Sequence, residues 1–163
     1  MRSEYLWSII LFFPLLLIQT TILPIIAING IVPDLVIILL VFYSMRLGQI
    51  YGTILGFLYG FLFDMITGSL LGSTMISLTI AGFIAGYFSN ENKRDYYFNN
   101  YFFVLIVIMC SIINSVLNSF FSSADLNTNL IHFLINQGIF PALYTSVISL
   151  LVVVFYPKRN FES

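Results

Sequence analysis

Six lysine and arginine side chains serve a chain of 163 residues, and their positions constrain the fold more than any motif does. They are Arg2, Arg46, Lys93, Arg94, Lys158 and Arg159. Between them run long apolar stretches. Only 8% of the residues are charged and 60% are hydrophobic, against about 25% charged in soluble domains. So few charges cannot cover a water-facing surface, and a bilayer is the natural solvent for such a chain. The net charge of −1 gives no reason to expect nucleic acid as a partner.

A helix needs about 20 apolar residues to cross the hydrocarbon core. Six helices are expected, at residues 5–23, 33–46, 48–66, 72–89, 97–121 and 130–156, forming one transmembrane domain over 1–163. The first run, from Tyr5, is longer than the apolar core of a signal peptide and lacks a small-residue cleavage site, so it reads as a retained helix. Pro33 and Asp34 suit the start of the second. This map puts every basic residue on one side of the membrane, the side that is cytoplasmic by the positive-inside rule. A single long helix over 33–63 would instead bury Arg46 in lipid. Both termini are therefore expected in the cytoplasm. Tyr96, Tyr97, Phe98, Tyr101 and Tyr156 fall at the same interface, where aromatic belts form. No extramembrane segment is long enough for a second domain.

From Gly48 the chain places glycine at every fourth position, Gly48, Gly52, Gly56, Gly60, Gly68 and Gly72, with Asp64 as the exception. Helices in lipid associate through close packing and hydrogen bonds, and small residues let their backbones approach. The next helix offers Ser73, Ser77, Ala81, Ala85 and Ser89 at the same spacing, with Gly82 and Gly86 beside them. The pattern has two readings. The glycines knit helices of this chain together, or they form a groove for another protein's helix, which would suit homodimers as well as heterodimers.

Asp64 lies close to the Thr67-Gly68-Ser69 turn. Arg46 cannot neutralise it, because eighteen residues of helix separate the two by about 27 Å. The aspartate either accepts hydrogen bonds from Thr67, Ser69 or Ser73 and organises the turn, or meets a partner or ligand. Asp34, Asp64 and Asp125 all map to the outer side, with His132 and no basic residue. Sorting of basic residues leaves acids there by default; a cluster receiving a basic segment or cation is the alternative. The fifth helix carries Ser111, Asn114, Ser115, Asn118, Ser119 and Ser122, and the sixth carries Asn136, Gln137, Thr145 and Ser149. These polar stripes either join the two helices by interhelical hydrogen bonds or line an outward-facing cavity, with Asn114, Asn118, Asn136 and Gln137 as its candidate walls.

No nucleophile elbow, zinc-protease motif or phosphate loop appears. The lone Cys110 sits in an apolar run and reads as filler. No metal, cofactor or catalytic residue is expected.

The ordered set Pro33-Asp34-Leu35, the glycine ladder ending in Asp64, Leu71-Gly72, and Thr79-Ile80-Ala81-Gly82-Phe83-Ile84-Ala85-Gly86 resembles the MreD family of bacterial rod shape-determining proteins. The resemblance covers mainly residues 33–86. It implies a plasma-membrane, non-catalytic scaffold of the cell-elongation machinery. It also implies an MreC-like single-span partner, within an assembly of actin-like MreB, a peptidoglycan glycosyltransferase and a penicillin-binding transpeptidase. The layout is also similar to the substrate-binding components of energy-coupling-factor vitamin transporters. On that alternative the asparagines would contact a solute and the small-residue surface would dock a coupling subunit.

Overall fold

The computed structural model describes residues 2–27, 31–89, 102–122 and 139–155. Among them are six α-helices: α1 Arg2–Leu17, α2 Leu35–Leu47, α3 Gln49–Thr67, α4 Ser73–Tyr87, α5 Phe102–Ser122 and α6 Phe140–Phe155. Asp125, His132, Asn136 and Gln137 lie outside the described residues. The first apolar run does not continue as one regular helix. After Leu17 it passes through a π-helical turn, Ile18–Ile22, and a 3₁₀ turn, Leu23–Ile26. Among the described residues, Trp7–Ile26 and Gln49–Thr67 are the two segments long and apolar enough to cross a membrane. The other apolar helices are shorter.

The short α2 is the centre of the bundle. Eight of its 13 residues are buried, and it carries none of the large exposed apolar side chains that cover the other five helices. A helix that is apolar all round belongs inside. Phe12 and Leu16 of α1, Leu55 and Tyr59 of α3, Leu78, Ala81 and Ala85 of α4, and Phe103, Ile106, Val107 and Cys110 of α5 close around it. Cys110 is thus core filler, its thiol 3.5 Å from the Ala81 carbonyl oxygen. Tyr59 ties α1 to α3. Its ring stacks on Phe12 at 4.3 Å, and its hydroxyl donates to the Ser8 carbonyl at 2.9 Å. The outer faces show the reverse pattern. Ile54, Phe57, Phe61 and Met65 form one exposed stripe along α3, and Trp7, Ile10 and Phe13 another on α1. Apolar surface this extensive is rare on soluble monomers and is what lipid covers.

The tightest contact is between α3 and α4. A methyl group built on Gly52 would lie 2.5 Å from the Gly82 carbonyl oxygen, and one built on Gly82 would overlap the Gly52 carbonyl in return. A methyl on Gly56 would collide with the Leu78 backbone, on Gly60 with Met75, and on Gly86 with Gln49. The two backbones therefore touch directly, with no side chain between them. The ladder has a second class of member. Gly48, Gly68 and Gly72 have φ of 98°, 66° and 103° and open space beside them, so they are glycine for backbone conformation. Gly68 is the left-handed C-cap of α3, its N–H bonded to the Asp64 carbonyl.

The two classes respond differently to substitution. Gly68→Ala adds left-handed strain alone and is expected to cost about 1 kcal/mol, while Gly68→Asn is better tolerated. Gly56→Ala must push two backbones apart, at a cost on the order of 3 kcal/mol. Thermal unfolding of the two alanine variants in one detergent checks the ranking.

Candidate functional site

α2 runs away from Asp34, α3 returns and α4 starts again, so the N-termini of α2 and α4 lie at the same end of the bundle as the C-terminus of α3. Each N-terminus presents amide donors without helical partners and the positive end of a helix dipole. Each meets one aspartate.

At α4 the N-cap is Gly72, which has no side chain to cap with. Asp64 of α3 supplies the acceptor. Its Oδ2 takes the N–H of Gly72 at 2.9 Å and of Met75 at 3.3 Å, and its Oδ1 takes the Ser69 hydroxyl at 2.8 Å. N-cap and N3 amides are the pair that a capping box satisfies with two side chains; here one carboxylate from the neighbouring helix does both. Asp64 is 1% exposed. Of the three hydroxyls expected around it, Ser69 is in contact. Thr67 acts only through Ser69, at 3.1 Å, and Ser73 bonds the Leu70 carbonyl instead. The backbone amides were not foreseen, because Asp64 lies nine residues before α4 and so outside the N-cap position that signals a helix start.

At α2 the cap is Asp34 itself, so Pro33 precedes the helix and does not open it. Asp34 Oδ1 accepts from the Ile37 N–H at 3.3 Å and from Gln19 Nε2 at 3.0 Å. Gln19 Oε1 accepts the Val36 N–H at 3.0 Å. Asn114 Nδ2 donates to Asp34 Oδ2 at 3.1 Å, and the Asp34 N–H donates to Thr145 Oγ1 at 2.9 Å. One residue thus ties together the π turn after α1, α2, α5 and α6. Gln19 was not singled out by its sequence, because one amide at the end of an apolar run carries no spacing signal.

Beside this knot opens a cavity of about 610 Å³, within the usual size range of ligand pockets. Asn114 and Asn118, expected as pocket walls, both line it, together with Gln19, Thr20, Asp34 and Ser115. Asn118 also accepts a long hydrogen bond from the Thr74 hydroxyl, at 3.5 Å. The glycines play no part in the cavity. Gly52, Gly56, Gly60, Gly82 and Gly86 are consumed by the α3–α4 contact, and Gly68 and Gly72 by the turn between those helices. Of the two readings of the ladder, the one seen is the knitting of this chain's own helices: α4 fills the groove, which leaves no room there for another protein's helix or a second copy. Nor do Ser73, Ser77, Ala81 and Ala85 form its matching face. They are buried, but Gly82, Gly86 and the backbone of Met75 and Leu78 meet the ladder. Among the described residues no three His, Cys, Asp or Glu side chains come together as a metal site.

The family model for rod shape-determining protein MreD matches residues 1–159 of the 163-residue chain. The chain belongs to the MreD family. The match takes in helices α1, α5 and α6 as well as residues 33–86, which carried the resemblance. No curated protein and no solved structure matches the chain. MreD proteins are membrane proteins of the rod-shape machinery, and shape determination is the role this membership assigns.

The carboxylate of Asp64 is the testable element of the MreD-type α3–α4 turn. Asp64→Ala leaves the Gly72 and Met75 amides buried without an acceptor, which costs about 2–3 kcal/mol. Asp64→Asn keeps one acceptor oxygen and is expected to recover roughly half of that. Faster hydrogen exchange at the first turn of α4 in the alanine variant, with α5 unchanged, would confirm the capping role.

Proposed function

We propose that this chain is a non-catalytic scaffold of the bacterial cell-elongation machinery, holding an MreC-like single-span partner and so helping to control peptidoglycan synthesis. The wider assembly would comprise actin-like MreB, a glycosyltransferase and a penicillin-binding transpeptidase. The observation that carries this reading is the family match over residues 1–159. The architecture suits it. Its helices pack against one another throughout the bundle, and the outer faces are apolar on α1, α3, α4, α5 and α6. Because α4 occupies the glycine groove, the partner's membrane helix has to lie on one of those outer faces. In this proposal the chain crosses the plasma membrane six times with both termini in the cytoplasm, as the positions of the basic residues favour. The Asp34–Asp64 end then faces outward and Arg46 inward.

A second reading is favoured by one observation, the cavity lined by Asn114 and Asn118. On it the chain is the solute-binding component of a micronutrient transporter, a class with a similar six-helix layout.

Purification from native membranes through a C-terminal tag, with mass spectrometry of the co-purifying proteins, separates the two. An MreC-like protein and wall synthases are the expected companions; ATPases with a coupling subunit would overturn the scaffold. The topology has its own check, made easier because the native Cys110 is fully buried. Cysteine at exposed Leu70 should react with a membrane-impermeant maleimide from outside the cell. Cysteine at exposed Ile50 should react only after lysis.

A further inference from the structure

Asp64 has spent its oxygens on α4, but Asp34 has not. Its carboxylate accepts three hydrogen bonds, from Gln19, Asn114 and the Ile37 amide. All three donors are neutral, and a carboxylate offers about four lone-pair sites. The remaining site is on Oδ2, which takes Asn114 alone. Asp34 is only partly buried and borders the cavity. No basic side chain among the described residues borders it with Asp34. Arg46 is at the far end of α2, about 18 Å of helix away.

A second acceptor lies beside the first. Asn114 is 4% exposed and also lines the cavity, and its Oδ1 is buried with no donor. Buried acceptors without partners are rare and call for an explanation. The local backbone points the same way: Gln19 and Thr20 reach the cavity from a π-helical turn, a distortion frequent at functional sites. Pro24, Val32, Phe63 and Ile66 give the wall an apolar part, and Thr67, Ser115 and Asn118 add polar groups to it.

We infer that this cavity binds a primary ammonium group, with Asp34 as counter-charge and Asn114 Oδ1 as a further acceptor, and seats the attached carbon chain against the apolar wall. A primary ammonium has three N–H donors and one positive charge, which matches a carboxylate with an acceptor site to spare and a donor-less amide oxygen on a residue of the same wall. A bare metal ion is a poor match, since the cavity of about 610 Å³ is far larger than an ion and presents one carboxylate. A quaternary ammonium has the charge but no N–H to give. The inference does not depend on the scaffold role, because a partner-binding chain and a solute carrier would present the same cavity. The ammonium could come from a free small amine or from the headgroup of an aminophospholipid, and the test separates them.

The purified full chain is reconstituted in nanodiscs of phosphatidylcholine, with or without phosphatidylethanolamine, and titrated with ethanolamine or choline. Thermal stability and lipid retention in native mass spectrometry are read. Stabilisation by ethanolamine over choline in pure phosphatidylcholine identifies a free-amine site. Selective retention of phosphatidylethanolamine, with ethanolamine inert, identifies the lipid headgroup. Asp34→Asn keeps a competent helix cap and should weaken the preference about tenfold or more. Ser115→Phe blocks the cavity without touching the Asp34 hydrogen bonds, and should weaken it as much. The inference is overturned if neither primary amine is preferred over its methylated counterpart. A preference that survives unchanged in both variants overturns it too.

Discussion

The contact on which the structure depends is backbone against backbone, between α3 and α4. In lipid, burying leucine against leucine gains little over leaving it in acyl chains, so helices must be held by packing and polar contacts. Gly52 and Gly82 approach each other's carbonyl groups, and Gly56, Gly60 and Gly86 continue the seam. This is the arrangement in which Cα–H···O contacts recur between helices. It also explains why an aspartate interrupts the ladder. Asp64 is one four-residue step beyond Gly60, on the stripe that faces α4. At that step the facing surface is no longer the flank of α4 but its N-terminus, with amides that need an acceptor. A glycine there would leave the Gly72 and Met75 amides bare; a carboxylate takes both. Ladder and charge are one device, close approach along the flank and capping at the end.

The second constraint is the shortness of α2. Thirteen residues make a helix about 20 Å long, short of the roughly 30 Å hydrocarbon core. Such a helix survives only if its neighbours shield it, and non-helical backbone at membrane depth is tolerated where protein or a wet cavity surrounds it. Both conditions hold at its N-terminus. The extended Asp34 is met by Gln19, Asn114 and Thr145, and the cavity opens beside it. The cavity thus arises from a short central helix. Its polar lining satisfies the amides that the shortness leaves over.

Much of this was legible in the sequence because it rests on periodicity and on charge. The spacing of Gly52, Gly56 and Gly60 foretold close packing, and the Gly68 turn was visible from Thr67-Gly68-Ser69. The identity of the packing partner was not legible, since a small-residue stripe states that something comes close and not what. The short turn between α3 and α4 favoured α4, while the stripe itself left a third helix or a foreign one open. Nor could the ladder be divided by eye into packing glycines and positive-φ glycines, because both are selected for the missing Cβ. Asn114 and Asn118 were marked as pocket walls from their shared face. Gln19, Tyr59 and Thr145 act through contacts with residues 17, 51 and 111 positions away, and no local pattern announces such partners.

The two aspartates divide the labour of one end of the bundle. Asp64 is closed, with both oxygens engaged within the α3–α4 pair and 1% exposure. Asp34 is open, with one side on the cavity and its hydrogen bonds distributed over four separate segments. Disturbing Asp64 therefore unseats one helix start. Disturbing Asp34 acts on the π turn, α2, α5 and α6 together. In the scaffold role proposed above, state is transmitted through changes in helix arrangement, and such changes need an element that both a ligand and a distant helix touch. Direct glycine contacts leave α3 and α4 little freedom to shift. Any adjustment of this MreD-family bundle is then channelled through the helices that meet at Asp34, and the lipid-facing surfaces of α1, α5 and α6 are those on which a bound partner would sense it.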